Sequence, residues 1–442
     1  MQTRVEPPLE AWPRPTARKP IWTGHQVSFF HPGIVAKYLA AQAVSARSEI
    51  PFHNIVVDQD VYDPLTLRWP QRHPDHPDRL TVERLTLGPV VPDVPVGMQP
   101  AVEAESMIAR VGAMPAGLAI DRERLVAALR HSDRDAASLA FQMDRVLRRL
   151  LPGYAAAEPS AFASALLRPE AGLLDRLLRD APRCAKLYNE AVRQHAAAGM
   201  SALSVEPYRV EAPLWALRWM EPRERVYVDL ADSEPLFTTD AGEPIDPADE
   251  GVVLAPRALL MTALLRRPDR CGLFIHGTGG WAYDRITEAW WARWRGETLA
   301  PMAVVTADAR LEFDAPTASP RDLERAVWWA HHLPHNLDRE LGLTGSPARE
   351  KQALLDQMDD DRDPRRRRAA FEVIHQINRQ LADAHPEALA AARRRLDRAR
   401  AGVVNARVTR KRDWPFLLYP AEAAAGWSRR FALALPQEVR PC

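Results

Sequence analysis

Between Pro20 and Asp60 the sequence runs strand, loop, helix, strand, and few arrangements other than an α/β fold accept that unit. Pro20-Ile21-Trp22-Thr23 reads as a short buried strand, Thr23 to Phe30 as a loop, and His31-Pro32-Gly33 as the start of a helix running to about Ser48. Pro32 suits a first helical turn, where its missing N–H costs nothing. Ile34, Tyr38 and Ala41 recur at helical spacing and predict an inward face. Pro51 breaks the chain, and Asn54 to Val57 then form a second buried strand ending in Asp58-Gln59-Asp60.

The same alternation of patterns organises the rest. Leu80, Val82, Leu85 and Leu87 predict a strand over 80–87, and the segment from about 118 to 198 turns helical. Strand signals return at 203–210 and 226–230. A helix over 256–266, a strand Leu273 to Ile275, a loop His276 to Gly280, a helix over 281–294 and a strand Met302 to Thr306 follow. Residues 320–404 are mostly helical, with breaks near 343–348 and 361–364, and Leu389, Ala392, Leu396 and Ala399 give a seam of coiled-coil type. The expected architecture is therefore α/β, a Rossmann-like core with a helical insertion and a C-terminal antiparallel helical hairpin or coiled coil. Its parts are 1–117 and 200–316 for the core, 118–199 for the insertion, 317–412 for the hairpin, and 413–442 for an apolar tail packing back on the body.

Bulk properties narrow the class. A chain of 442 residues with 46% apolar and 26% charged residues has the balance of a globular protein of two or three units. A net charge of +1 gives no global field toward nucleic acid or anionic lipid. The cysteines Cys184, Cys271 and Cys442 form no CxxC pair, which fits a reducing compartment and argues against a cysteine-built zinc site. No apolar run reaches the roughly 20 residues that span a bilayer. The proline-bearing first twenty residues read as an extended arm rather than a signal peptide, so a cytoplasmic location is expected. Arginine far outnumbers lysine, so the Arg-rich stretch after 362 reads as a solvated face rather than an RNA site.

Two loops can carry chemistry. In Thr23 to Lys37 a strand end meets a helix N-terminus, where unpaired N–H groups and the positive end of the helix dipole suit an anion. Gly24 and Gly33 permit close approach, His25, Gln26 and His31 add donors, and Lys37 lies one turn up. The histidines also suit acid or base work near neutral pH. A turn glycine, a capping histidine and an exposed lysine would give the same letters. The second loop, His276-Gly277-Thr278-Gly279-Gly280, repeats this design before Tyr283. In an open parallel sheet two such loops can face each other across one crevice, bringing His276 to His25 and His31. His73 with His76, and His331, His332 and His335, read better as surface and packing residues than as metal ligands, and no metal is expected.

These motifs resemble the bacillithiol cysteine-adding enzymes. That family opens with a strand, Gly-Gln-Gln, an apolar stretch, Gly-Gly-Pro and a helical lysine, matched here at Gly24, Gln26, Phe29-Phe30, Pro32 and Lys37, with departures at His25 and His31-Pro32-Gly33. The family's acidic cluster after the next strand corresponds to Asp58-Gln59-Asp60. Its later Gly-Pro-Gly-Glu and tyrosine correspond to Gly277-Thr278-Gly279, with Gly280 at the acidic position, and Tyr283.

The resemblance implies a ligase that forms a C–N bond between cysteine and a glucosaminyl-malate-like amino sugar, with ATP or ADP as the candidate cofactor and a homodimer through the helical hairpin. On this expectation His25, His31, Lys37, Asp58 and Asp60 are the catalytic set. Gly24, Gln26, Gly33, His276, Gly277, Thr278, Gly279 and Tyr283 bind the substrate or its anionic group. One alternative is nucleotidyl transfer or ligation on another small acid. The other is a non-catalytic dimeric scaffold; the missing acidic side chain at Gly280 and the altered Asp58-Gln59-Asp60 cluster favour both alternatives.

Overall fold

The computed structural model describes residues 2–6, 18–118, 120–132, 135–168, 170–420 and 426. The chain divides into two compact units, one of residues 1–69, 84–311 and 412–442, the other of 70–83 and 312–411.

The first unit is mixed α/β. Strand β1 (Gln2–Glu6) precedes β2 (Ile21–His25), helix α1 (Pro32–Ser48) and β3 (Phe52–Val56). Next come β4 (Thr66–Arg72) and β5 (Leu80–Thr86), paired in a two-stranded sheet within which the boundary between the units falls. Helices α2 (Ala104–Gly112), α3 (Arg122–Arg130), α4 (Leu139–Leu150) and α5 (Pro152–Ala155) lead to β6 (Ala161–Phe162) and α6 (Ala171–Gln194). Strands β7 (Arg209–Leu217), β8 (Glu224–Asp229), β9 (Leu236–Thr238), β10 (Pro244–Ile245) and β11 (Val253–Pro256) follow. Helix α7 (Ala258–Leu265), β12 (Leu273–His276), α8 (Thr278–Arg295) and β13 (Met302–Asp308) complete the unit's elements.

The main sheet has the order β1-β13-β12-β2-β3-β6. Its last five strands are parallel, and β1 pairs antiparallel with β13, from Gln2 opposite Asp308 to Glu6 opposite Val304. Part of the expected N-terminal arm is thus an edge strand. Numbered along the chain, the parallel strands lie 3-2-1-4-5. The order reverses between β2 and β12, where Leu273 pairs with Ile21, and such a reversal opens a crevice beyond the carboxyl ends of the strands.

Local chemistry explains the elements around that crevice. Helix α1 starts because His31 caps it, accepting from the Gly33 N–H at 3.1 Å, and Pro32 occupies the first turn. It ends at Glu49, in the left-handed region at φ 56°. Burial extends well beyond the expected face: Val35, Ala36, Lys37, Tyr38, Leu39, Ala40, Ala41 and Val44 are all buried. Behind it a polar network is fully enclosed, with Tyr38 donating to Asn54, Asn54 to Tyr154, and Tyr154 to Asp144 at 2.5 Å.

Three readings of the sequence change here. Residues 118–199 are helical for most of their length, yet they also supply β6, the outer parallel strand. Residues 200–256 build a separate five-stranded antiparallel sheet, β10-β9-β8-β7-β11, rather than more of the parallel one. Its strand β7 begins at Arg209 and runs through Pro213, and the register of pairing with β8 shifts between Glu211 and Trp215. A proline has no N–H for the ladder, so the strand bulges where the periodicity suggested it had stopped. This sheet shares one core with α6, α7 and α8, in which Trp290, Trp291, Trp294 and Tyr188 are buried and the Trp290 and Trp294 rings stack 5.4 Å apart.

The second unit holds four helices, α9 (Pro320–Glu340), α10 (Ser346–Asp360), α11 (Pro364–Ala384) and α12 (Pro386–Thr409). Ser319 and Asp322 cap α9 reciprocally, and Pro334 accompanies a non-helical break at Asn336. Leu333, Leu337, Ile377, Leu381 and Ala392 form the core, and the buried Lys351 ammonium meets Asp338 at 2.5 Å. Asn405 of α12 ties down the Leu80 N–H and the carbonyls of Asp78 and Pro316. His73 and His76 lie with their rings 5.1 Å apart, and His332 stacks on Trp328 and meets Glu340 at 3.0 Å. Among the described residues no helix is long and apolar enough to cross a membrane.

Of the tail, residues 413–420 and 426 are described: Trp414 and Leu418 are buried, and the Phe416 N–H donates to the Phe30 carbonyl at 2.6 Å. The rest of the tail, with Cys442, lies outside the described residues.

Candidate functional site

The strand ends on either side of the reversal build one cavity of about 410 Å³ inside the first unit. From β2 and α1 it takes Gly24, His25, Gln26, His31, Gly33 and Lys37, and from the loop after β3 it takes Gln59 and Asp60. From β12 and α8 come His276, Gly277, Thr278, Gly279, Gly280 and Tyr283. Every predicted site residue except Asp58 therefore meets in one place.

Glycines set the closeness of the walls. A side chain at Gly24 would lie 2.2 Å from Ile55, so β2 and β3 approach only because it is absent. One at Gly33 would lie 2.8 Å from the His31 ring and 2.9 Å from the Thr306 hydroxyl. The expected loop at His276 to Gly280 is shorter than the glycines suggested, since α8 begins at Thr278 with Gly277 as its cap. Gly280 has a steric role: a side-chain carbon there would fall 1.4 Å from the His276 ring. The space that an acidic side chain would occupy is filled by imidazole.

Hydrogen bonds assign the ring protons. His25 Nδ1 lies 3.2 Å from the Gln26 carbonyl, which only accepts, so Nδ1 carries the proton and Nε2 keeps its lone pair. His31 Nδ1 accepts from Gly33 N–H, and His276 Nδ1 accepts from Gly277 N–H at 2.9 Å, so in their neutral forms both hold the proton on Nε2. His276 Nε2 faces the Tyr283 hydroxyl at 3.5 Å and the Asp284 carboxylate at 4.0 Å. Asp284 is fully buried and meets Arg266 at 3.4 Å; burial pushes its carboxyl up to about 7 against the pull of Arg266. One cavity thus holds an unprotonated imidazole nitrogen that accepts and imidazole donors of the opposite tautomer.

The cavity is short of negative charge. Lys37 is buried, and its Nζ donates to the Gly24 carbonyl at 2.5 Å. Burial lowers its pKa to about 7. His25 is lowered to about 3 by burial and then by Lys37, His276 is driven well down by burial and then Lys37, and His31 is lowered by burial and then Arg412. All three imidazoles are neutral at pH 7. Among the described lining residues Asp60 is the one carboxylate, and it is already engaged, by Arg223 at 2.6 Å and by Gln26 at 3.0 Å. Asp58 points elsewhere: it is buried, accepts from the Ser164 N–H and hydroxyl at 2.9 and 2.5 Å, and does not line the cavity. Its carboxyl is raised by burial, with the Ser164 hydrogen bonds opposing. Its placement corrects the expectation that it sits with Asp60.

Several lining residues had no signal in the sequence. Arg412 reaches the cavity from beyond the helical segment and pairs with Asp308 at 2.6 Å. Ala258, Met261, Thr262 and Leu265 of α7, with Ile55, Val57 and Phe274, form an apolar wall. Gln59 stands against it, its Nε2 3.4 Å from the Pro256 carbonyl and from the Met261 sulfur. Adjacent polar letters in Asp58-Gln59-Asp60 hinted at this position but not at which of the three faces the cavity. No protein-family model matches the chain, and no match is found among curated proteins.

Proposed function

We propose that the chain is a divergent relative of the bacillithiol cysteine-adding enzymes, a C–N bond-forming ligase acting on a small anionic substrate in this cavity. The observation that supports it best is the meeting of the two strand-end loops around a cavity short of negative charge, whose one carboxylate among the described lining residues is already paired. The 3-2-1-4-5 strand order supports a Rossmann-like core, and the helix-rich stretch 118–199 is read as an insertion on it.

On this reading Gly24, Gln26, Gly33, Lys37 and the α8 N-terminus hold the carboxylate or phosphate of the substrate. His25 Nε2 accepts a hydrogen bond from the attacking amine, Asp60 orients that amine, and His31 supplies a donor where negative charge develops. His276 packs against Tyr283 and fixes the other wall. ATP or ADP fits the same set: Gly279 has open space on its side-chain face at the first turn of α8, Lys37 is a donor in the cavity, and Arg412 supplies a cationic group. ATP, when bound, supplies activation of a carboxyl group. The seam at Leu389, Ala392, Leu396 and Ala399 is read as a hairpin or coiled coil joining two copies of a cytoplasmic enzyme.

Thermal-shift screening against ATP, ADP, cysteine, malate and glucosaminyl-malate tests the reading. A ligand at 100 times its Kd stabilises by about 2.7 kcal/mol, a readily measured shift. A shift with glucosaminyl-malate or a nucleotide, lost in Lys37→Ala, is the expected result. No shift with any of them rejects this substrate class. The replacement of the family's acidic residue by Gly280 favours, as a second reading, nucleotidyl transfer or ligation on another small acid, or a scaffold without catalysis.

A further inference from the structure

Lys37 differs from the other buried lysine in what holds its ammonium group. It lines the cavity, is buried, and has the Gly24 carbonyl as its hydrogen-bond acceptor, with no carboxylate in ion-pairing range among the described residues. Lys351 in the second unit supplies the contrast. It is equally buried, and Asp338 at 2.5 Å and the His335 carbonyl at 2.7 Å hold its charge. A buried lysine with a partner anion is a structural cation; one without, on the wall of a cavity, gives up its proton more readily and can act as an amine.

We propose that Lys37 condenses with the carbonyl carbon of a small 2-oxo acid bound in this cavity, forming an imine. The surroundings supply what the step needs. The carboxylate next to the carbonyl matches the first-turn N–H groups of α8 at Thr278, Gly279 and Gly280, and Arg412 lines the same cavity. Lys37 Nζ, as the free amine, attacks the carbonyl carbon; one N–H proton moves to the carbonyl oxygen to give the carbinolamine, and the second N–H proton leaves with that hydroxyl as water, so that C=N replaces C=O. Both bonds to the carbonyl oxygen are broken, a C=N bond forms, one water leaves with both amine protons, and no redox partner is required. The depressed pKa of about 7 agrees with this role, since an ordinary lysine near 10.4 leaves less than about 1 in 1,000 of its amines free at pH 7. Apolar residues Ile55, Met261 and Phe274 line the same cavity and suit the uncharged remainder of the acid.

The proposal goes beyond the ligase reading and does not require it. The sequence contains few lysines, Lys19, Lys37, Lys186, Lys351 and Lys411, which makes it testable by direct trapping. The full chain is incubated near pH 7 with pyruvate and cyanoborohydride, and peptide mapping locates the reduced adduct. The expected result is an adduct concentrated on Lys37, slowed by excess inorganic phosphate and missing in Lys37→Arg, whose melting transition remains cooperative. Labelling confined to Lys19, Lys186 and Lys411, or of Lys37 only after unfolding in urea, overturns the proposal without needing any variant. Phosphate stabilisation of the fold without an adduct rejects the imine and leaves the anion-holding ligase reading in place. An adduct on Lys37 without a thermal shift from nucleotides or glucosaminyl-malate does the reverse.

Discussion

His25, Lys37 and Gly280 show how single residues set the properties of the site. For Lys37 the folded pKa of about 7 lies below the unfolded value near 10.4, so between them the unfolded chain binds a proton that the folded chain does not. The contribution therefore destabilises fully below pH 7 and fades as pH rises toward 10. Lys37→Met should be more stable than wild type at pH 6, with the gap closing by pH 10 in paired denaturant titrations; a gap independent of pH refutes the assignment. His25 has the same sign in a lower window, where stability is lost as pH falls from about 6.5 to 3. His25→Gln should flatten that part of the acid limb. Gly280→Ala places a carbon where the His276 ring now sits and should cost about 1–3 kcal/mol, with a displaced His276 resonance by NMR. An unmoved ring and unchanged stability would contradict the packing described.

At the scale of elements, helix starts rather than helix faces carry the site. α1 and α8 each begin just after a parallel strand, and in both a histidine side chain accepts an N–H at the beginning of the helix. The cap fixes the ring, and the ring nitrogen left over is then fixed in its protonation. Both readings of the first loop contribute: His31 is indeed a capping residue, whereas Lys37 is buried rather than exposed. In the helical unit the connection of α9 to α10 rests on Lys351 and Asp338. Lys351→Met leaves the Asp338 carboxylate buried without its partner, and a loss of about 3–5 kcal/mol is expected in chemical denaturation. A loss below 1 kcal/mol would show that the pair is solvated in solution.

At the scale of the molecule, each unit has a core of its own, which separates stability from ligand response. Leu381 belongs to the helical core, and Leu381→Ala should lower the stability of that unit by about 2–5 kcal/mol. Labelling of Lys37 and any ligand-induced shift of the α/β unit should persist in this variant. Loss of both would mean that the units unfold as one.

Periodicity made the βαβ unit from Pro20 to Asp60 legible, with α1 found from Pro32 to Ser48 as read and the later strand-helix-strand of β12, α8 and β13 in its place. These signals are local, because turn residues and buried runs report on their own few neighbours. Strand signals at 203–210 and 226–230 were legible, but the two-residue strand β6, the full length of the bulged β7 and the antiparallel pairing around it were not, since a short edge strand has no period and pairing partners are chosen at a distance. The site divides in the same way. Glycine-histidine loops after strands could be found in the sequence. That Asp60 faces the cavity while Asp58 turns to Ser164, that Arg412 arrives from the far end of the chain, and that Lys37 is enclosed without an anion among the described residues were decided by tertiary packing alone. Residue type supplies the chemistry a position can perform; desolvation and the company of distant chain segments decide which charge state it holds there.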